Sequence, residues 1–312
     1  MRAKPSLSVV LPCFNEEEVI ENSYQELKPL LKTWSKDLIS EYEIVMVNNG
    51  STDETLSCMK RIKAIDNRVV IINLRSNFGY QGSITAGLYH ATKDMVVSID
   101  ADLQDDPAKI EEMIKSYING YDMVLGIRDD RQTDGFLKRI TAEGFYKFMN
   151  YLGAKSVYNH GDFRLLSKEL VADLKRYPER NRYLRGMVLM LDQKYDTVKY
   201  SRRVRQAGET KFKTSQLLSL ALDGITSFSI APIRFVFLLG VAMFIFSLVT
   251  LLVVLSLKLF ISVDIKGWTS MMIIILFFGG IQNISLGILG EYLSKTYFES
   301  KNRPLFIVKE IL

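Results

Sequence analysis

Through the first 126 residues, short apolar and β-branched runs alternate with stretches of helical periodicity, the pattern of a parallel sheet covered by helices. Strands are predicted at Leu7 to Leu11, Tyr42 to Val47, Val69 to Leu74, Met95 to Ile99 and Met123 to Gly126. Between them, Ser51-Thr52-Asp53-Glu54 fits a capping box, and Asp106-Pro107 supplies an N-cap with proline at the first helical position. The pattern changes after about Ser229, where Phe, Leu, Ile, Val and Met dominate. No residue is charged from Phe235 to Leu257 or from Gly267 to Gly290, and each run exceeds the ~20 residues that a helix needs to cross a bilayer. Buried helices of a soluble core rarely go so far without an ionisable group, so two spans are predicted. Neither run is N-terminal, which excludes a cleaved signal peptide as their explanation.

Length and charge refine this division. A chain of 312 residues has room for one large domain and an appendage. Lys199, Arg202, Arg203, Arg205, Lys211, Lys213 and Arg234 precede the apolar runs, Lys295, Lys301, Arg303 and Lys309 follow them, and the link between them is short. Positive-inside bias then puts both termini in the cytoplasm. Between Lys211 and Phe228, Phe212, Leu217, Leu218, Leu222, Ile225 and Phe228 recur at near-helical intervals, fitting either a helix in the membrane interface or an ordinary packed one. The expected organisation is a catalytic domain over 1–210, a juxtamembrane amphipathic segment over 211–232, two spans with a short outside loop over 233–293, and a cytoplasmic tail over 294–312. The net charge of +5, concentrated near the spans, points to a bilayer surface or phosphate rather than nucleic acid. Two cysteines, Cys13 and Cys58, are too few for a disulfide framework.

In open parallel sheets, ligands bind beyond the carboxyl ends of the strands. Here those positions are unusually polar: Pro12, Asn15 and Glu16 after the first strand; Asn48, Asn49, Gly50, Ser51 and Asp53 after the second; Asp100, Asp102, Gln104, Asp105 and Asp106 after the fourth. If the extended conformation persists past Ile99, the period of two puts Asp100, Asp102 and Gln104 on one side, three oxygen donors suited to Mg²⁺ or Mn²⁺. Such an ion keeps positions open for phosphate oxygens. The competing reading is that these acids cap the next helix, as Asp106 does by its place before proline. Asn49, on a turn, could offer its amide to a nucleobase edge. Asn77-Phe78-Gly79 reads as a weaker ligand-side turn.

Further along, Gly161-Asp162-Phe163-Arg164 and Arg205-Gln206-Ala207-Gly208-Glu209-Thr210-Lys211 carry fixed cations suited to a diphosphate or an acceptor phosphate. Topology alone would also account for the second, juxtamembrane run. The only histidines, His90 and His160, read as structural.

Taken together with Pro12-Cys13-Phe14-Asn15-Glu16-Glu17, Asn49-Gly50-Ser51-Thr52-Asp53 and Asp100-Ala101-Asp102-Leu103-Gln104, these motifs resemble the inverting glycosyltransferases of family two. Within that family the likeness is to the bactoprenol-phosphate glucosyltransferases, relatives of dolichol-phosphate mannose synthase, and it extends through the apolar runs to Gly290-Glu291-Tyr292 and Arg303-Pro304. It implies a GT-A fold followed by two transmembrane helices, in a multi-pass enzyme of the bacterial inner membrane. It further implies that Asp100, Asp102 and Gln104 hold Mg²⁺ or Mn²⁺ and the diphosphate, and that Pro12, Glu16, Asn49, Ser51 and Asp53 line the nucleoside site. Arg164, Arg205 and Lys211 face phosphates, and Asp102, Asp162, Arg164 and Lys211 form the catalytic set. Many members have Asp where this chain has Asn49; a neutral amide suits uracil, which it can both donate to and accept from. The implied reaction moves a hexose, glucose by preference, from a UDP-sugar to polyprenyl phosphate, in a homo-oligomer. N-acetylglucosamine, galactose or mannose as the sugar, a processive polysaccharide synthase, and a non-catalytic membrane scaffold are the competing readings. The synthase is disfavoured because two spans make no channel and neither Trp34 nor Trp268 lies in a Gln-x-x-Arg-Trp clamp.

Overall fold

A computed structural model describes residues 4–129, 157, 159–180, 182–192, 194–201, 203, 231–261 and 267–312. All five predicted strands form: β1 (Leu7–Cys13), β2 (Tyr42–Asn48), β3 (Val69–Leu74), β4 (Met95–Ser98) and β5 (Met123–Arg128). Three more, β6 (His160–Ser167), β7 (Tyr195–Tyr200) and β8 (Val308–Ile311), complete one sheet in the order β7-β5-β6-β4-β1-β2-β3-β8. The five strands of the first 126 residues run parallel to one another, as the alternation of strands and helices implies, and the later strands make the sheet mixed. β6 enters antiparallel between β4 and β5, and β8 is antiparallel to β3. The result is a GT-A-like mixed α/β fold.

Alternation along each strand sends side chains to opposite faces, and both faces are covered. Leu7, Val9, Leu11, Ile44, Met46 and Phe163 pack beneath α1 (Ile20–Asp37), α2 (Thr55–Ile65) and α4 (Ile110–Ile118). Val10, Val45, Val47 and Leu166 pack beneath α3 (Gly79–His90), α5 (Lys168–Lys175) and α6 (Leu184–Leu191). Helix α3 comes close enough that a Cβ on Gly87 would lie 2.2 Å from Val10 Cγ1. The start of α4 is as the sequence suggests: the Asp106 carboxylate accepts from the Ala108 N–H ahead of a short 3₁₀ turn, Pro107–Lys109. The capping box at α2 does not form: the Glu54 N–H that Ser51 would accept from donates instead to the Glu17 carboxylate at 2.8 Å, and the helix begins only at Thr55.

Two long helices follow, α7 (Ala231–Ile261) and α8 (Trp268–Ser300), and they contain the two uncharged runs. In α7 the window Pro232–Thr250 is long and apolar enough to cross a membrane, and none of it is buried in the protein. It is the one such window among the described residues. The residues after α8 are not simply a tail. β8 pairs Ile311 with Ile72 and Glu310 with Asn73, returning the chain to the sheet edge. The juxtamembrane segment 211–230 lies outside the described residues.

Candidate active site

The loops after β1 and β2 are tied to each other. Asn15, in the left-handed region at φ 56°, accepts from the Thr52 N–H through Oδ1 at 2.9 Å, while its own N–H donates to Ser51 Oγ at 3.1 Å. The Glu16 N–H donates to Thr55 Oγ1, and Asp53 accepts from the N–H groups of Thr55 and Glu17. Burial raises the Asp53 carboxyl, but the hydrogen bonds from Thr55 and Glu17 outweigh it and hold the group below its ordinary value. Gly50 makes the turn at φ 68°, where a Cβ would lie 2.5 Å from the Ser76 carbonyl carbon. Pro12 is buried at the end of β1.

Asn49 is 3% exposed and its amide is engaged at both ends. It donates to Asn77 Oδ1 and the Gly79 carbonyl, each at 3.1 Å, and accepts from the Phe78 N–H at 2.9 Å. The side chain thus pins the loop entering α3 rather than facing the crevice, and the turn 77–79 is itself part of the site's framework.

Extension does not persist past Ile99. Asp100 to Leu103 form a turn, with the Leu103 N–H donating to the Asp100 carbonyl and Leu103 at φ 44°. The period-of-two argument for the donor set therefore fails, although the residues still gather in one turn beyond β4. Asp100, half-buried, accepts a short hydrogen bond from the Tyr80 hydroxyl on α3. Burial pushes the Asp100 carboxyl up to about 6, the Tyr80 hydrogen bond opposes that, and the charges of Asp105, Asp162 and Asp102 add to it. Asp102 Oδ1 accepts from the Gln104 N–H at 3.2 Å. Gln104 is 6% exposed and its Nε2 has no hydrogen-bond partner among the described residues. Asp105, behind the turn, lies 3.5 Å from Arg128 Nη2.

Across from this turn, Asp162 on β6 is buried between two guanidinium groups. Arg164 makes a short ion pair with Oδ1, and Arg185 on α6 reaches Oδ2 with Nη2 at 2.6 Å and Nε at 3.0 Å. Burial would raise the Asp162 carboxyl, but Arg185 and Arg164 hold it down at about 2, so it stays ionised. Ser98 donates to the Asp162 carbonyl at 2.6 Å, fixing β6 against the end of β4. Arg164 is 1% exposed, whereas the Arg185 side chain is 39% exposed, so Arg185 is the arginine of this pair that reaches the surface. The sequence reading had not singled out Arg185 or Tyr80. Arg185 carries no motif, and Tyr80 had only its place after the 77–79 turn to mark it. His160 is buried, and burial together with the Arg164 charge pulls it well below its usual value, so it stays neutral. Arg205 and Lys211 lie outside the described residues.

The donors fit a hard divalent cation in part. Among the described residues no three acidic, His or Cys side chains close round one point. One or two carboxylates with positions left to substrate phosphates is the usual provision for Mg²⁺, and the Asp100 carboxyl, raised by burial and by the charges of neighbouring acids, gains from a cation beside it.

The glycosyl transferase family 2 model matches residues 8–175. A glycosyltransferase of Bacillus subtilis named YkoT is 42% identical over 98% of this chain and 92% of its own length. A prophage bactoprenol glucosyl transferase homolog of Escherichia coli is 41% identical over 98% of this chain and 99% of its own. The bactoprenol glucosyl transferase of Shigella phage SfV is also 41% identical, over 97% and 98%.

Proposed function

From the premise that the chain belongs to glycosyl transferase family 2 and is a glycosyltransferase, we propose that it moves glucose from UDP-glucose to undecaprenyl phosphate with inversion. The observation that carries the reading is the placement of Asp100 and Asp102 just past the carboxyl end of β4, with Asp162 on the neighbouring β6, in a chain that resembles bactoprenol glucosyl transferases from end to end, apolar helices included. The domain division expected from sequence stands as part of the proposal. Both long helices span the membrane, the catalytic domain and both termini face the cytoplasm, and the protein works as a homo-oligomer.

Asp100, Asp102 and Gln104 would hold Mg²⁺ or Mn²⁺, which when bound neutralises charge on the departing diphosphate. The loop 12–16 and the turn 49–53 would form the nucleoside wall, through Pro12, Glu16, Ser51 and Asp53. Asn49 acts there by holding the α3 loop. The acceptor oxygen is already anionic at neutral pH and needs no strong base, so the chain's task is alignment. The bond from the anomeric carbon to the UDP oxygen breaks as the bond to the acceptor phosphate oxygen forms on the opposite face. Asp162, kept ionised by its two arginines, orients Arg185 toward the reacting groups, with Arg164 as its buried support. Arg205 and Lys211 supply phosphate contacts.

Purified protein given UDP-glucose, Mn²⁺ and undecaprenyl phosphate should yield a single lipid-linked hexose by mass spectrometry. A donor panel decides between glucose and N-acetylglucosamine, galactose or mannose. Absence of any sugar-lipid product with the whole panel would refute the reading.

A further inference from the structure

A cavity of about 500 Å³ lies where the end of α8 meets the catalytic domain. Four cations line it, Arg180, Arg182, Lys295 and Arg303, against one carboxylate, Glu291. Two of them are partly committed: Lys295 stands 3.9 Å from Glu291, and the Arg180 side chain pairs with Asn302 while its N–H donates to Glu299 at 2.8 Å. Arg303 has no ion pair among the described residues and is exposed.

Arg182 sharpens the picture. It is 8% exposed, donates to the carbonyls of Tyr177 and Glu179, and lies over the Tyr89 ring. Its Nη1 has no hydrogen-bond partner among the described residues. A buried guanidinium nitrogen left unpaired keeps its full desolvation penalty, so an anionic oxygen at this wall would repair a real deficit. Phe78, Gln81 and Gly82, at the start of α3, line the cavity as well.

Position narrows the ligand. Glu291 is the first charged residue after the uncharged run that ends at Gly290, and Lys295 follows about 6 Å further along the helix axis. If α8 spans, as the proposed function holds, the cavity sits at headgroup depth on the cytoplasmic side. Phe298 and Phe78 add apolar wall beside the cations. A basic, partly apolar pocket at the cytoplasmic end of a span suits a lipid phosphate ester.

We propose that this cavity binds the phosphate headgroup of an anionic membrane phospholipid, at a site separate from the sugar-transfer crevice. The first turn of α3 stands between the two. Tyr80 faces Asp100, while Gln81 lines the cavity and accepts from the Leu184 N–H at 3.2 Å, one residue before Arg185. A bound headgroup would thereby firm the segment that carries both Tyr80 and Arg185.

The test uses the full-length protein in nanodiscs of phosphatidylglycerol or of phosphatidylcholine, with thermal unfolding and native mass spectrometry of retained lipid. The expected result is a melting temperature about 3 °C higher in phosphatidylglycerol and retention of that lipid, both lost in the Lys295→Gln/Arg303→Gln double variant. Arg182→Gln should do the same; the double variant, at more accessible positions, stands in if Arg182→Gln fails to fold. An undiminished shift in the double variant would overturn the proposal. So would an equal shift in phosphatidylcholine on adding inorganic phosphate, which marks a soluble-anion site. A shift produced by undecaprenyl phosphate and not by phosphatidylglycerol would overturn it in favour of the acceptor. Sugar transfer is followed in the same nanodiscs: its absence with the lipid shift intact sinks the proposed reaction and leaves this site standing.

Discussion

Arg185 on α6 places Nη2 2.6 Å and Nε 3.0 Å from the same carboxylate oxygen of Asp162 on β6, a two-point contact across 23 positions of sequence. Arg164 occupies the other oxygen from within the strand. Replacing Asp162 by Asn strands Arg164 in the interior without its counter-charge, and loss of one partner of a buried pair costs about 3–5 kcal/mol. Asp162→Asn should therefore unfold at markedly lower denaturant. Arg185→Gln, at a partly exposed position that leaves the Arg164 pair intact, should lose far less stability but most of its transfer activity. Equal destabilisation by the two would show that Arg185 is only a structural partner.

The same pair sets an acid dependence. Asp162 titrates at about 2 when folded, against roughly 3.9 for an unperturbed Asp. A depressed carboxyl contributes stability that is complete above the unfolded value and is lost as pH falls through the folded one. The stability difference between wild type and Asp162→Asn should thus stay flat from neutral pH to about 5 and shrink between about 4 and 2. Denaturation series across that range check it.

Removing divalent metal with a chelator should abolish transfer, and Mg²⁺ or Mn²⁺ should restore it. Asp102→Asn nearly keeps the shape of the side chain and loses its charge, so a fall in kcat/KM of about 10²-fold or more is expected. Near wild-type turnover in that variant would remove Asp102 from the metal site.

Tyr80 donates a hydrogen bond to the Asp100 carboxylate, and groups that orient a metal-holding carboxylate typically matter by about 10–100-fold in metal affinity or activity. Tyr80→Phe should raise the Mn²⁺ concentration needed for half-maximal activity while folding normally. An unchanged metal titration curve would argue that the hydroxyl only packs.

The C-terminal strand is joined to the ligand side of the sheet by an amide relay. Asn73 donates to Glu310 at 2.8 Å, Asn48 donates to Asn73 at 2.8 Å, and the Ser51 N–H donates to Asn48 at 3.2 Å. Ending the chain at Leu305 removes β8 and bares the β3 edge, which invites edge-to-edge association. The truncated protein should melt lower and aggregate in detergent, as size-exclusion profiles would show. Glu310→Gln can keep a hydrogen bond to Asn73 and should behave as wild type.

Local properties were legible in the chain itself. Periodicity gave the five strands of the first 126 residues, and the want of charge over two long runs marked the helices α7 and α8. The polar residues after β1, β2 and β4 marked the ligand edge, since strand ends are visible as the point where alternation stops. Tertiary structure decided what depends on pairing between distant segments. Burying Asp162 and Arg164 inside β6 is tolerable only because Arg185 arrives from α6, so no local rule marks His160–Ser167 as an interior strand. Asn49 looked available until the loop at Asn77 closed on it, and β8 is too short to declare itself before it meets β3. The amides of a strand edge and the charge on a buried acid are satisfied by partners up to 237 positions away, and only the folded chain brings those partners within reach.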